Sequence, residues 1–275
     1  MREYFDLSRQ IVHLAIDKSV MFERAEIDIA EELLRDNNYR NFVSCSKIKF
    51  AELISDKLIM YKTASFKEWK AYFEMDCRVS KHLMGNLISF EKSINSRVSH
   101  HISKLMANNQ LTNFEKNAVV QIIQSSQRRR LGLKANQKLR NAYNGERTWE
   151  FLPQMTFGEM KQLLIWFFDH KRSIYLEITK GYRFLKNMKY AKERIEEINK
   201  LRNNLFHCRP LNVYITHGNS RPGGRRAINN KFRKEAVDFA LKLRPNREIS
   251  VAVRQIFENS DNYTKIKNSQ RMLAR

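Results

Sequence analysis

The chain has 275 residues, enough for one large domain or two small ones. Hydrophobic residues make up 42% of it and only 8 Gly and 4 Pro occur, which argues against disorder and against an all-β chain rich in tight turns. The 51 Lys and Arg against 29 Asp and Glu give a formal net charge of +22, more than solubility requires. This excess favours nucleic acid as the partner and makes a membrane surface the weaker alternative.

The cysteines and the N-terminus bear on the compartment. Cys45, Cys77 and Cys208 are scattered, which argues against a disulfide framework or a zinc site and favours a reducing cytoplasm. No stretch approaches the roughly 18 apolar residues of a membrane-spanning helix. The N-terminal segment carries Glu3 and Asp6 and lacks the apolar core of a signal peptide. We therefore expect a cytoplasmic protein without a metal or cofactor.

The N-terminal elements are predicted to be helical. Residues 1–20 place apolar side chains on one side of a helix. Residues 25–38 repeat apolar positions at spacings of three and four, and Asn37 and Asn38 end this second helix. A third helix is expected over residues 47–61.

The strongest helical signal extends from Phe66 to about Met106. Ser65 and Glu68 form a capping box in front of this segment. A stripe of apolar residues at spacings of three and four indicates its buried face: Leu83, Leu87, Phe90, Ile94 and Val98. Asn108 and Asn109 interrupt the chain after it.

Two further helix starts flank a polar stretch. Thr112 opens one helix, and Thr156, with Glu159 at the capping-box position, opens another. Between them, residues 128–147 hold seven Lys or Arg and one acidic residue. This stretch fits a solvated connector and a nucleic-acid-contacting loop equally well. Its candidate RNA-binding residues are Arg128, Arg129, Arg130, Lys134, Lys138 and Arg140.

The C-terminal part begins with a strongly periodic helix over residues 191–208, which Pro210 ends because the residue before a proline is disfavoured in helical geometry. Its core-facing residues are Ile195, Ile198, Leu201 and Leu205. An exposed basic loop follows over residues 217–226, and short helices are expected beyond it. The candidate RNA-binding residues here are Arg221, Arg225, Arg226, Lys231 and Arg233.

Arg202, Asn203 and His207 are the candidate catalytic residues. Arginine holds phosphate with permanently charged donors, and histidine can serve as a general acid or base. Arg202 lies beside the buried stripe, where an arginine without a structural or functional role costs free energy. The competing interpretation is that Arg202 pairs with Glu196, Glu197 or Glu91, while His207 only caps the helix end.

Helical geometry limits how these residues can cooperate. Positions five apart are separated by about 140° around a helix, so Arg202 and His207 do not share one face of a regular helix. They converge if the helix ends or distorts near His207, or if two copies of the motif face each other across a two-fold axis. The second arrangement predicts a homodimer.

The motif and three other stretches resemble a known family. R-N-N-L-F-H-C-R-P-L-N at 202–212 resembles the R-N-x-x-x-H signature of HEPN ribonucleases, specifically the Abi-like (AbiD/AbiF-type) abortive-infection proteins of bacteria. The segments at 30–42, 88–102 and 155–160 resemble, in the same order, the early helix, the central I-E-x-x-x-R helix and the T-F-G turn of that family.

The resemblance implies an all-α HEPN-type helical bundle that dimerises through the motif helices and cleaves RNA without a metal. It also implies a toxin of anti-phage defence and control by a cognate non-coding RNA. We expect an N-terminal helical segment at 1–65, a HEPN-like core at 66–212, and a basic loop with C-terminal helices at 213–275. The alternatives are a catalytically inactive RNA-binding module and a DNA-binding regulator.

Overall fold

The computed structural model describes residues 6–55, 58–127, 155–217 and 230–273. Over these ranges the chain is almost entirely helical, which confirms the predicted all-α fold. The helices are α1 Leu7–Asp17, α2 Ile27–Asn37, α3 Tyr39–Phe50, α4 Phe66–Ala107, α5 Asn113–Gln127, α6 Phe157–His170, α7 Arg172–Ile178, α8 Arg183–Lys186, α9 Ala191–Phe206, α10 Leu211–His217, α11 Asn230–Leu243 and α12 Arg247–Leu273. Short 3-10 turns occur at Arg24–Glu26 and Met188–Tyr190.

The prediction of a helix over residues 47–61 is wrong for most of that range. Helix α3 ends at Phe50, and an antiparallel pair follows, β2 Ala51–Ser55 with β3 Leu58–Tyr61. Ala51 lies opposite Tyr61 in this pair. Isoleucine and tyrosine favour strands, and pairing across the hairpin prevails over the helical spacing of the same residues.

A second, shorter pair joins distant parts of the N-terminal region. Strand β1 Val20–Met21 pairs in parallel with β4 Ala64–Ser65. Strand β4 leads directly into α4, so this pair fixes the start of the longest helix of the described chain.

The predicted helix starts are confirmed by their hydrogen bonds. Each of three helices begins with a capping box, in which a Ser or Thr is followed three residues later by a Glu. The Glu side chain accepts the backbone N–H of the Ser or Thr, which satisfies a donor that the helix leaves without a partner. The three boxes pair Ser65 with Glu68, Thr112 with Glu115 and Thr156 with Glu159. The predicted break at Asn109 is also confirmed, because Asn109 adopts a left-handed conformation with φ of 50°.

The chain divides into two compact units. One comprises Met1–Met84 and Leu201–Arg275, and the other comprises Gly85–Lys200. These boundaries fall inside α4 and α9, so they differ from the divisions predicted at 65 and 212.

The first unit has an aromatic core around Trp69. Phe50 stacks on Trp69 with ring centroids 5.2 Å apart, and Phe42 packs against the same ring at 6.1 Å. Phe42, Phe66 and Trp69 are fully buried. This core supports the first turns of α4, where the side chains that anchor the candidate site originate.

In the second unit, α6 packs against α5 and α7. Its core comprises Met160, Leu163, Leu164, Phe167, Tyr175, Ile178, Leu185 and Ile195, all of them fully buried.

The apolar stripe predicted on α4 is buried as expected, with Leu83, Ile94 and Val98 fully inaccessible. In the part of the chain that the structure describes, no helix is long and apolar enough to cross a membrane.

Candidate functional site

The residues of the R-N-N-L-F-H segment lie at the C-terminal end of α9. The core-facing residues predicted for this helix are buried: Ile195, Ile198, Leu201 and Leu205. Arg202 and Asn203 are half-buried beside this stripe, and Phe206 and His207 are exposed. The candidate catalytic residues are therefore accessible at one end of a firmly packed helix.

A Schellman motif ends α9 and determines where His207 lies. Cys208 donates its backbone N–H to the carbonyl of Leu205 at 3.0 Å, and Arg209 donates to the carbonyl of Asn204 at 3.1 Å. Cys208 has φ of 50°, in the left-handed region that glycine usually occupies at this position. His207 is therefore the C-cap residue of the helix, as the competing interpretation expected.

This geometry corrects the predicted helix end. Pro210 was expected to end the helix through its effect on Arg209. The last helical residue is instead Phe206, and the left-handed Cys208 reverses the chain before the proline is reached. Pro210 precedes α10 instead, which begins at Leu211.

Three side chains of the segment form a continuous stack. The Arg202 guanidinium carbon lies 4.8 Å from the centroid of the Phe206 ring. The His207 ring meets Phe206 edge-to-face, with centroids 5.7 Å apart and planes at 82°. The Arg202 guanidinium also approaches the side-chain oxygen of Asn203 at 3.4 Å. The end of the helix thus brings both the arginine and the histidine into contact with one exposed aromatic ring.

The His207 imidazole is accessible for chemistry. Its backbone N–H donates to the carbonyl of Asn203 at 3.1 Å, which fixes the residue in the helix end. Its ring nitrogens make no hydrogen bond to any residue that the structure describes. An exposed, unengaged imidazole on a fixed backbone can accept or donate a proton.

Two of the three glutamates of the competing interpretation, Glu196 and Glu91, have contacts within the second unit, whereas Glu197 is buried and lies 3.1 Å from the Lys200 ammonium. Glu196 accepts hydrogen bonds from the Lys161 ammonium at 2.6 and 2.7 Å. Glu91 accepts the backbone N–H of Phe157 at 2.7 Å. These contacts engage both carboxylates within the Gly85–Lys200 unit.

A buried carboxylate holds the chain that follows the motif. The two oxygens of Asp76 accept the backbone N–H groups of Leu211 at 2.8 Å and Asn212 at 3.0 Å. These donors open α10, so Asp76 neutralises the positive end of that helix. Sequence reasoning missed Asp76, because nothing in its local pattern distinguishes it from other acids on α4.

Asn212 extends this network into the core. Its side-chain NH₂ donates to the carbonyl of Cys45 at 2.7 Å and approaches the Tyr72 hydroxyl at 3.4 Å. Asn259 donates to the same hydroxyl at 3.2 Å. Helices α3, α4, α10 and α12 therefore meet at one buried polar cluster immediately after the motif.

Burial also shifts the titration of this cluster. Desolvation raises the pKa of Asp76 from 3.8 to about 6, although hydrogen bonds from Asn212, Leu211 and Ser80 oppose the shift. Burial likewise raises the pKa of the Cys45 thiol, which stays protonated and serves as a packing residue.

Two further side-chain hydrogen bonds hold the motif loop itself. The Asn204 side chain donates to the carbonyl of Arg209 at 3.0 Å, and Asn41 donates to the carbonyl of Cys208 at 3.3 Å. Asn204 is buried, so the second asparagine of the segment is a structural residue and only Asn203 remains available to a ligand.

Most of the predicted RNA-binding residues lie outside the described residues: Arg128, Arg129, Arg130, Lys134, Lys138, Arg140, Arg221, Arg225 and Arg226. Lys231 is exposed, and its ammonium lies 3.9 Å from the Glu235 carboxylate. The prediction for Arg233 is wrong, because this residue is only 4% exposed and donates to the carbonyl of Ile215 at 2.9 Å. Arg233 therefore stabilises the end of α10 and is not accessible to RNA.

The described residues contain no cluster of three or more His, Cys, Asp or Glu side chains able to hold a metal ion. Comparison with protein-family models, with curated proteins and with solved structures gives no match to this chain.

Proposed function

We propose that this chain is a HEPN-type endoribonuclease that cleaves RNA without a metal ion. The observation that carries the proposal is the Arg202–Phe206–His207 stack at the capped end of α9, in which Arg202 is half-buried and Phe206 and His207 are exposed. In this stack Arg202 is a permanently charged group that can bind a phosphate, and His207 is a group that can transfer a proton; both lie on a backbone fixed by hydrogen bonds. The net charge of +22 supports an anionic polymer as the substrate.

The proposed reaction is an internal transesterification. The ribose 2′-oxygen attacks the adjacent phosphorus and loses its proton, while the bond from phosphorus to the 5′-oxygen breaks and that oxygen gains a proton. His207 serves either as the base at the 2′-OH or as the acid at the 5′-oxygen. Arg202 stabilises the charge that develops on the phosphoryl oxygens, and Asn203 orients the phosphate or the imidazole. The products carry a 2′,3′-cyclic phosphate and a 5′-OH.

A homodimer would complete the site. Each copy of the motif supplies one histidine, His207, whereas the reaction needs both a base and an acid. Phe206 is 57% exposed beside His207, and an exposed aromatic ring is a common anchor of an interface. A two-fold axis at this ring would bring two copies of the motif together.

The resemblance to Abi-like proteins suggests the biological role. We propose a cytoplasmic bacterial toxin that acts in anti-phage defence and binds a structured non-coding RNA. The strong positive charge supports a partner that neutralises more phosphates than a single scissile bond offers. The remaining candidates are an RNA-binding module without catalysis and a DNA-binding regulator.

A cleavage assay in excess chelator tests the proposal. Purified protein is incubated with RNA and with DNA of the same sequence, each in EDTA. We expect cleavage of RNA alone, reduced about 10²- to 10⁴-fold in His207→Ala and Arg202→Ala. His100→Ala is the matched control, since His100 is also an exposed histidine. Binding without cleavage would favour the inactive module, and binding to duplex DNA in preference to RNA would favour the regulator.

A further inference from the structure

A second basic feature lies in the Gly85–Lys200 unit, apart from the loops considered above. Between residues 180 and 192 every third position is a cation, and no acidic residue occurs in this stretch. We call these five residues the cationic row: Lys180, Arg183, Lys186, Lys189 and Lys192. All five are exposed.

The row follows an irregular but fixed backbone. It begins after α7, passes through α8 and the 3-10 turn at Met188–Tyr190, and ends in the first turn of α9. Leu185 and Ala191 are buried between the exposed cations. The stretch therefore exposes its cations to solvent while it buries Leu185 and Ala191.

The side chains of Tyr175, which is buried, and Arg97, which is half-buried, hold this backbone in place. The Tyr175 hydroxyl donates to the carbonyl of Leu185 at 2.8 Å. The Arg97 guanidinium donates to the carbonyls of Ile178 at 2.8 Å and Lys180 at 2.7 Å. The row is therefore presented on a scaffold that needs little ordering when a ligand binds.

The row has few internal counter-charges. Lys192 pairs with the Asp169 carboxylate at 2.6 Å. Lys180, Arg183, Lys186 and Lys189 make no ion pair with any described residue. Four exposed like charges within ten residues of chain, none in an ion pair with a described residue, repel one another, and this arrangement favours an external polyanion.

The aromatic residues between the cations are already used by the fold. Tyr182 packs edge-to-face on Phe90 at 4.9 Å and donates to the Ser93 hydroxyl at 3.0 Å. The Arg194 guanidinium covers the Phe184 ring at 4.8 Å. Tyr190 is half-buried, and the Lys189 ammonium lies 5.3 Å from the centroid of its ring. Because these three rings already have contacts within the fold, the surface suits a phosphate backbone more than stacking on bases.

The same burial argues against a lipid surface. Membrane-binding segments combine cations with an exposed apolar face that enters the bilayer. Here Leu185 is buried, and Phe184 and Met188 are half-buried, so residues 180–192 present no fully exposed apolar side chain for insertion.

We propose that the cationic row is a binding surface for the phosphate backbone of RNA. The inference rests on the proposed function for the identity of the polymer and extends it, because the row belongs to a different unit from Arg202 and His207. Binding at the row retains the RNA, while cleavage depends on the motif.

The test measures RNA binding by the full chain carrying His207→Ala, so that the RNA stays intact. The probe is a fluorescein-labelled stem-loop RNA of arbitrary sequence, titrated at several salt concentrations. The row variant carries Lys180→Gln, Arg183→Gln, Lys186→Gln and Lys189→Gln. The control variant removes the same charge at exposed positions in the other unit: Lys67→Gln, Arg78→Gln, Lys81→Gln and Lys242→Gln.

Each neutralised phosphate contributes about 0.7 to 0.9 to the slope of log K against log[salt], so the row variant should flatten that slope by about 3. The control variant should keep the parent slope within about 1. Equal slopes for the parent and the row variant would overturn the inference, as would equal losses in both variants. It would also fail if the row variant lost binding to phosphatidylglycerol vesicles and kept binding to RNA.

The cleavage assay separates this inference from the proposed function. If His207→Ala cleaves RNA as the parent does but the row variant binds weakly, the binding surface stands and the catalytic proposal fails. If His207 is required for cleavage but the row variant keeps the parent slope, the catalytic proposal stands and the binding surface fails.

Discussion

Asp76 accepts the backbone N–H of Asn212 at 3.0 Å, and the same buried carboxylate accepts the N–H of Leu211 at 2.8 Å. These two hydrogen bonds begin α10 four residues after His207, so a side chain far away in sequence determines how the chain leaves the motif. The carboxylate is fully enclosed, and its neutral neighbours Tyr72 and Cys45 belong to the same cluster.

Replacing Asp76 with alanine should destabilise the fold. Both backbone donors would then be buried without an acceptor, at about 1 to 3 kcal/mol each. We expect Asp76→Ala to lower the free energy of unfolding by at least about 2 kcal/mol, measured by denaturant unfolding. Glu74→Ala, an exposed change two residues away, should shift it by less than about 0.5 kcal/mol. Equal stability of the two variants would contradict the role of the cap.

The Asp76 carboxyl should also make stability depend on pH. Its pKa is raised from 3.8 to about 6 in the folded state, so between these values the folded state binds more protons than the unfolded state. The stabilisation from this group is therefore fully present below 3.8 and is lost as the pH rises through about 6.

The test compares wild type with Asp76→Asn, which does not titrate. The stability of wild type relative to this variant should fall by on the order of 3 kcal/mol between about pH 4 and about pH 7.5. A relative stability that is constant, or that rises with pH, would show that burial does not dominate at this carboxyl.

Cys208 offers a test of the helix end. Its left-handed φ of 50° strains a residue that carries a Cβ, whereas glycine adopts this conformation freely. Cys208→Gly should raise the free energy of unfolding by up to about 1 kcal/mol and leave RNA cleavage unchanged. Cys208→Ala retains the Cβ and should give no gain. Loss of cleavage in both variants would instead implicate the thiol in the reaction.

Phe206 tests the proposed homodimer. We expect wild type to sediment as a dimer and Phe206→Ala to dissociate at the same concentration, because interface anchors contribute more than about 1 kcal/mol each. Phe114→Ala is the control, since Phe114 is 78% exposed on the other unit. A monomeric wild type, or dissociation caused only by Phe114→Ala, would contradict a site built from two copies of the motif.

The sequence predicted the elements whose signals are local. Capping boxes such as Thr156 with Glu159 depend on residues three apart, and the stripe on α4 depends on spacings of three and four, so both could be recognised from the chain alone. The β2–β3 hairpin was missed, because its apolar residues fit helical spacing as well as strand pairing.

The candidate site was predictable only in part. The sequence singled out Arg202, Asn203 and His207 as candidates and placed Arg202 beside the buried stripe, where it lies; their catalytic role stays a prediction. The Schellman motif did not follow from the sequence, because a cysteine occupies the position where glycine or asparagine usually signals it. The roles of Asp76 and Arg233 could not be predicted from the sequence for another reason. Their roles depend on contacts 136 and 18 residues away in sequence, which no local pattern encodes.

The most direct test of the central claim is the chemistry of the RNA ends formed in excess EDTA. If His207 drives attack by the ribose 2′-OH, wild type should leave 2′,3′-cyclic phosphate and 5′-OH ends, and folded His207→Ala should form them about 10²- to 10⁴-fold more slowly. Products with 5′-phosphate ends, or undiminished cleavage by folded His207→Ala, would contradict the account.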